Sequence, residues 1–297
     1  MIDMNLVSLY NQGKPIVSFE FFPPKTWQGI AELYEHFHEL MKCNPGYITC
    51  TYGAGGNTPL DKAQKRTLEV LRWVRGDYPN IPVVSHLTCV NATQTDLRNY
   101  LYKVKELSVS GIVALRGDAP DDTRMFVPPP NGFRYAVELV RLIKSEFPEF
   151  NILVGGYPEK HPEAPSLEED IQHLKEKIDA GGEIILTQLF YNNEDFYRFR
   201  DLCEKTGIDV PIVPGILPVT NLAQVKRITS LCGAKLTSVL LERLEKHEKD
   251  EEGQFSVGVY YATRQVEDLI QQGVPGVHFY VLNKSRAAAH ICRALTL

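Results

Sequence analysis

Short apolar, β-prone runs alternate along this chain with longer stretches of helical spacing. There are eight such runs, at 16–22, 47–52, 81–87, 111–115, 151–157, 183–189, 210–216 and 277–282. Between them apolar positions recur every three or four residues, as in Leu68-Glu-Val-Leu-Arg-Trp-Val74 and Tyr135-Ala-Val-Glu-Leu-Val-Arg-Leu-Ile143. Eight β/α units predict an α/β fold, a (β/α)8 TIM barrel with residues 1–297 as a single domain. The main rival is an open doubly wound sheet. That fold wants a G-x-G-x-x-G turn after an early strand, and Gly53-Ala-Gly-Gly56 lacks the spacing. The interval 217–277 has room for two or three helices, with the charged stretch 242–252 turned to solvent. The proline-rich piece 119–131 reads as a long loop.

Composition narrows the partners. An apolar content of 43% supports a large core, and a net charge of −5 offers no basic footprint for nucleic acid or an anionic membrane. No apolar run is long enough to span a bilayer, and the start at Met1 lacks the order of a secretion signal, so a cytoplasmic protein acting on small molecules is expected. Cys43, Cys50, Cys89, Cys203, Cys232 and Cys292 are scattered without a C-x-x-C pair. This argues against a zinc ribbon, an iron–sulfur cluster or a disulfide framework, and most are read as buried thiols.

In Val17-Ser-Phe-Glu-Phe-Phe-Pro-Pro24 a carboxylate stands inside an aromatic segment that two prolines stop. Burial among Phe19, Phe21 and Phe22 would disfavour the charged form of Glu20, raise its pKa and suit it to general acid work. An outward-facing Glu on an alternating strand is the competing reading. A barrel builds its active site from the C-terminal ends of its strands, and here those ends are polar. They offer Glu20, then Thr51 and Tyr52, His86, Arg116 to Asp118, Tyr157 to His161, Gln188, and Tyr280 with Asn283. Taken alone, His86 reads as a satisfied core histidine. Together, Thr51, His86, Asp118 and Gln188, interleaved with Tyr52, Tyr157 and Tyr191, suit a flat heteroaromatic ligand, and Arg116 and Lys177 suit phosphates on it. A metal-dependent hydrolase is the weakest reading, because His86 and His161 lack clustered carboxylates.

The chain closely resembles the methylenetetrahydrofolate reductases. The resemblance runs through Val17–Pro24, Thr51-Tyr-Gly-Ala54, His86-Leu-Thr-Cys89, Ala114-Leu-Arg-Gly-Asp118, Gly156-Tyr-Pro-Glu159, His161-Pro-Glu-Ala164, Leu186-Thr-Gln-Leu-Phe190, Pro214-Gly-Ile-Leu-Pro218 and His278-Phe-Tyr-Val-Leu-Asn283. It implies a barrel that carries FAD, takes electrons from NADH or NADPH and reduces methylenetetrahydrofolate to methyltetrahydrofolate for one-carbon metabolism and methionine supply. By position, Glu20 matches the family's acid, which helps open the imidazolidine ring of the folate. Asp118 matches the aspartate between flavin and folate, and Gln188 the glutamine that contacts whichever substrate occupies the flavin face. Thr51, Tyr52, Ala54, His86, Arg116, Gly117, Asp118, Ala136, Tyr157, His161, Ala164, Asp170, His173 and Lys177 match FAD-contacting positions. The last three are spaced so that one helix face can present all of them.

Gln224 and Lys284 fall at folate-contacting positions, as does Leu222. Lys284 replaces the arginine of many relatives, keeping the charge and losing the fork, which leaves two readings open, weaker folate binding or compensation by the nearby Arg286. Glu176 stands where relatives are basic or acidic. The chain ends soon after the barrel, so the regulatory domain of eukaryotic relatives, and S-adenosylmethionine inhibition through it, are not expected. The resemblance also implies a homo-oligomer. Two alternatives stay open. One is a flavin-independent reductase with direct hydride transfer, which Asp170 and Lys177 count against. The other, motivated by Lys284, is a flavin subunit that needs an electron-delivering partner protein.

Overall fold

The structure is a computed structural model that describes residues 5–52, 60–118 and 126–297; Ala54 lies outside them. Eight parallel strands close on themselves in sequence order: β1 (Ile16–Phe21), β2 (Tyr47–Cys50), β3 (Val83–Thr88), β4 (Gly111–Leu115), β5 (Asn151–Gly156), β6 (Ile184–Leu189), β7 (Ile212–Ile216) and β8 (Gly276–Tyr280). Each of the eight expected runs coincides with one strand, β3 and β8 each overrunning it by one residue, at Thr88 and Gly276. Helices α1 (Trp27–Met41), α2 (Leu60–Asp77), α3 (Gln94–Glu106), α4 (Ala136–Glu146), α5 (Leu167–Asp179) and α6 (Asn193–Lys205) follow the first six strands in turn. Three helices, α7 (Leu222–Cys232), α8 (Ser238–Glu245) and α9 (Glu251–Gln271), separate β7 from β8, and α10 (Arg286–Leu295) packs after the last strand. The fold is the TIM barrel read from the sequence. The charged stretch 242–252 spans the break between α8 and α9 and is exposed apart from Leu244 and, in part, His247.

Helices begin where a short polar side chain satisfies an orphan N–H. Thr26 accepts from Gly29 before α1, Ser166 from Glu169 before α5 and Asn221 from Gln224 before α7, while Thr93 and Asp96 form a reciprocal capping box on α3. The two-residue period of each strand then sorts side chains into two cores. Outward residues such as Phe19, Phe21, Ile48 and Ile112 pack under the helices. Inward Tyr47, Val84, Val113, Leu153, Ile184 and Val213 fill the lower barrel. A 3-10 turn (Leu6–Asn11) seals the N-terminal end: Leu6 is fully buried, and its N–H donates to Asn151 Oδ1 at 2.9 Å. With the floor plugged and largely apolar, its few polar groups paired with one another, the polar inward positions open to a ligand collect at the C-terminal mouth. Among the described residues, no helix is long and apolar enough to cross a membrane.

Candidate active site

Glu20 stands on β1 at the mouth with two imidazoles around it. Its Oε2 is 3.2 Å from His86 Nε2 on β3 and 3.7 Å from His278 Nε2 on β8. This reverses the acidity expected from the sequence. Phe19 and Phe21 point to the strand–helix core and Phe22 is exposed, so the aromatic neighbours do not enclose the carboxyl. Burial alone would push Glu20 up, but His86 and His278 outweigh it and hold the carboxyl down at about 2. His278 is itself held below its ordinary value by burial, against the pull of Glu20. At neutral pH the arrangement is therefore an ionised carboxylate beside two imidazoles, whose Nε2 atoms are buried without a hydrogen-bond partner among the described residues.

The loops after β2, β4 and β5 bring the next group of expected residues together. Thr51 Oγ1 is buried without a hydrogen-bond partner among the described residues, and Tyr52 packs edge-on against Tyr100 with centroids 4.8 Å apart. After β4 the chain turns at Gly117, with φ +84°, where an added Cβ would lie 2.7 Å from Val90 Cγ1. That turn sets Arg116 and the exposed Asp118 on the rim. The Arg116 guanidinium forks onto Glu163 at 2.5 and 2.7 Å and lies 5.2 Å above the Phe126 ring. Tyr157 meets His161 edge-on at 4.7 Å, and the His161 backbone N–H donates to Asp170 at 2.8 Å. On α5, Lys177 Nζ donates to the Gly155 carbonyl at 2.7 Å, and burial pulls its amine down to about 8.

Gln188 owes its place to an irregularity between β6 and β7, where the register shifts between Leu186 and Leu189. The Gly215 N–H turns to Thr187 Oγ1 at 2.9 Å, and Tyr280 OH donates to the Thr187 carbonyl at 2.6 Å. A Cβ on Gly215 would fall 2.2 Å from that carbonyl oxygen, so only glycine lets Tyr280 reach beneath β7.

Three cavities join across the mouth. The first, of about 450 Å³, takes in Glu20, Thr51, Tyr52, His86, Asp118 and Gln188. A second continues from it past Arg116, Tyr157 and His161 to Ala136, Ala164, Asp170, His173 and Lys177. The helix face expected to present Asp170, His173 and Lys177 does so. A third shares Leu217, Tyr280 and Leu282 with the first and holds Gln224, Lys284 and Arg286. Arg286 is forked onto Glu252 at 2.7 Å by both nitrogens, whereas Lys284 is exposed. Sequence reasoning missed His278, Ser18 and Glu163. The signal for His278 was parity, since it is inward in phase with Tyr280; Glu163 gave none, because its partner lies on another loop.

Known proteins match this chain in sequence and in fold. The profile of the Methylenetetrahydrofolate reductase family matches residues 5–296. The chain is 37% identical to the 5,10-methylenetetrahydrofolate reductase of Salmonella typhimurium, over 96% of this chain and 92% of that one. It is 34% identical to Methylenetetrahydrofolate reductase (NADH) 1 of Arabidopsis thaliana over 98% of this chain and 50% of the plant protein, so it spans about half the length of such plant relatives. A solved structure from Clostridium thermocellum, of an uncharacterized protein that binds two copies of 5-methyl-5,6,7,8-tetrahydrofolic acid, shares the fold with a TM-score of 0.64 over 97% of both chains at 15% identity. By profile and by identity over nearly its whole length, the chain belongs to the methylenetetrahydrofolate reductase family.

Proposed function

We propose that this chain is a methylenetetrahydrofolate reductase that holds FAD along the first two cavities and draws on NADH or NADPH. The observation that carries the reading is Glu20, fixed between two imidazoles at the head of a groove that runs on to Lys177. The residues fit the cofactor. Thr51 Oγ1 is a buried polar atom in want of a partner, and the small Ala114, Ala136 and Ala164 leave room beside the backbone. Lys177 carries a charge that burial disfavours and a phosphate would stabilise, and Arg116 can exchange the Glu163 carboxylate for a phosphate of the same bidentate geometry. When bound, FAD supplies a two-electron carrier that accepts hydride from a nicotinamide and yields it to the folate.

Within that frame Glu20, ionised in the free site, takes up a proton once bound substrate displaces water from the mouth, and passes it at its carboxyl to the folate nitrogen released as the imidazolidine ring opens. Asp118 on the rim faces the positive charge that develops on the folate, and Gln188 orients the substrate. Gln224 and Lys284 hold the rest of the folate in the third cavity, Lys284 as a point charge.

The test is the visible spectrum of the purified protein, followed anaerobically. Flavin bands bleached by NADH or NADPH and restored by methylenetetrahydrofolate are the expected result. A colourless protein that gains no bands with added FAD would overturn the flavin assignment, and yellow protein that no nicotinamide bleaches would point to an electron-delivering partner.

A further inference from the structure

We propose that Phe22 is a substrate-binding residue, an apolar wall against which the ring system of the folate rests, and that Asn283 is the positioning residue that holds it there. The inference rests on the reductase reading and gives a task to two residues of the mouth that the mechanism leaves unused.

Phe22 stands two residues beyond Glu20, so the two share the inward face of the strand direction, while Phe21 between them is buried under the helices. Both Glu20 and Phe22 line the first cavity. Phe22 does so as an open ring, 40% exposed where Phe21 is 1%. An aromatic face left uncovered in a concave, polar mouth suits a flat ligand. Its place in the barrel says which one. The groove toward Lys177 leaves the first cavity past Arg116, Tyr157 and His161, on the side of β4 and β5. Phe22 lies across the barrel from it, at the seam of β1 with β8. The turn after β8 places Leu282 at that seam, where it borders both the first cavity and the third one with Gln224 and Lys284. Phe22 is thus on the folate side of the site.

The ladder shows why Phe22 needs a holder. Pairing of β1 with β8 runs from Ile16 and Gly276 to Glu20 and Tyr280. Beyond it the chain turns away: Leu282 and Asn283 have φ of +48° and +56°, and the Lys284 N–H donates to the Val281 carbonyl at 2.8 Å. The Asn283 side chain then stands in for the missing strand. Its Oδ1 accepts the Phe22 N–H at 2.9 Å and its Nδ2 donates to the Phe22 carbonyl at 2.8 Å, so one amide satisfies both backbone groups of one residue. Pro23 and Pro24 have no N–H to carry a ladder further, and Pro23 keeps Phe22 extended. Asparagine fits this post on two counts. It tolerates a left-handed backbone better than most side chains, and it carries a donor and an acceptor on one planar group. Aspartate has acceptors only and would set a carboxylate against the Phe22 carbonyl.

The test uses FAD-loaded protein in anaerobic stopped flow, with flavin reduction by the nicotinamide as internal reference. Phe22→Ala should raise the methylenetetrahydrofolate concentration that half-saturates flavin reoxidation about tenfold, and leave the nicotinamide half-reaction within about twofold of wild type. Asn283→Asp should raise the same concentration at least about threefold and add nothing to Phe22→Ala in the double variant, because a residue that acts through the ring has nothing to position once the ring is gone. Asn283→Gly keeps the left-handed turn, loses the amide and should match Asn283→Asp; wild-type saturation in Asn283→Gly overturns the clamp. Unchanged folate saturation in Phe22→Ala, or an equal loss in both half-reactions, overturns the binding role, and additive losses in the double variant overturn the coupling. Failure of the reductase reading looks different, since wild-type protein then reoxidises no flavin with methylenetetrahydrofolate. Titration of methyltetrahydrofolate into the oxidised protein still judges Phe22 in that case: binding weakened about tenfold in Phe22→Ala upholds the wall, and equal affinity, or no binding to wild type, overturns it.

Discussion

A carboxylate that keeps its charge between two imidazoles is best tested by a substitution that keeps its shape. Glu20→Gln should leave FAD bound and its reduction by nicotinamide nearly intact, and slow folate reduction by about a hundredfold or more. Equal loss in both half-reactions, measured separately by stopped flow, would remove Glu20 from the proton-donor role. Charge at Lys177 works in the other direction. Its folded amine sits near 8, below its ordinary 10.5, so folding favours the neutral form. The resulting penalty is present below pH 8 and is relieved as pH rises from there toward 10.5. Lys177→Met should therefore stabilise the cofactor-free protein at pH 7 by about 1 kcal/mol, the full shift being discounted for partial exposure, while weakening FAD at least about tenfold. Thermal melts with and without FAD separate the two effects, and destabilisation of the cofactor-free form would show that the Gly155 contact outweighs desolvation.

At the scale of elements, the site depends on how strands end. Gly117→Ala adds a Cβ at φ +84° and drives it into Val90, so a loss of about 1–3 kcal/mol is expected, together with weaker FAD binding as Arg116 and Asp118 shift. Val90→Ala in the same chain should recover only the part due to the clash; full recovery in a melt would mean the backbone there carries no strain. Strands were legible in the sequence because a parallel strand is covered on both faces and reads as an apolar run between turn signals. The helix face of Asp170, His173 and Lys177 was legible by spacing, though reading it as a cofactor face rather than a solvated stripe came from the family resemblance. Glu20 was placed correctly and its acidity was not: in a strand its immediate neighbours Phe19 and Phe21 face away, so its surroundings come from β3 and β8. No local pattern reveals which strands will close around a residue. Likewise the Arg116 fork onto Glu163 joins two loops that meet only in the closed barrel.

For the whole molecule, closure removes every sheet edge and leaves two ends with opposite demands. The C-terminal end must stay open for ligands, so the N-terminal end carries the seal. Leu6 is fully buried against the lower layer of Tyr47, Val84, Val113, Leu153, Ile184 and Val213. Asn151 ties it in, accepting the Leu6 N–H and donating to the Ser110 carbonyl at 2.7 Å. Exposed ion pairs such as Arg264–Glu267 add little to this by comparison. Leu6→Ala should cost about 2–5 kcal/mol, which at roughly 2–4 °C per kcal/mol is a clear fall in the melting midpoint. A single transition shifted downward means that the floor turn and the barrel unfold as one cooperative unit. An unchanged midpoint with fast amide exchange confined to residues 5–12 would mean the turn opens independently, and Tyr10 would then have no fixed place from which to meet Tyr47.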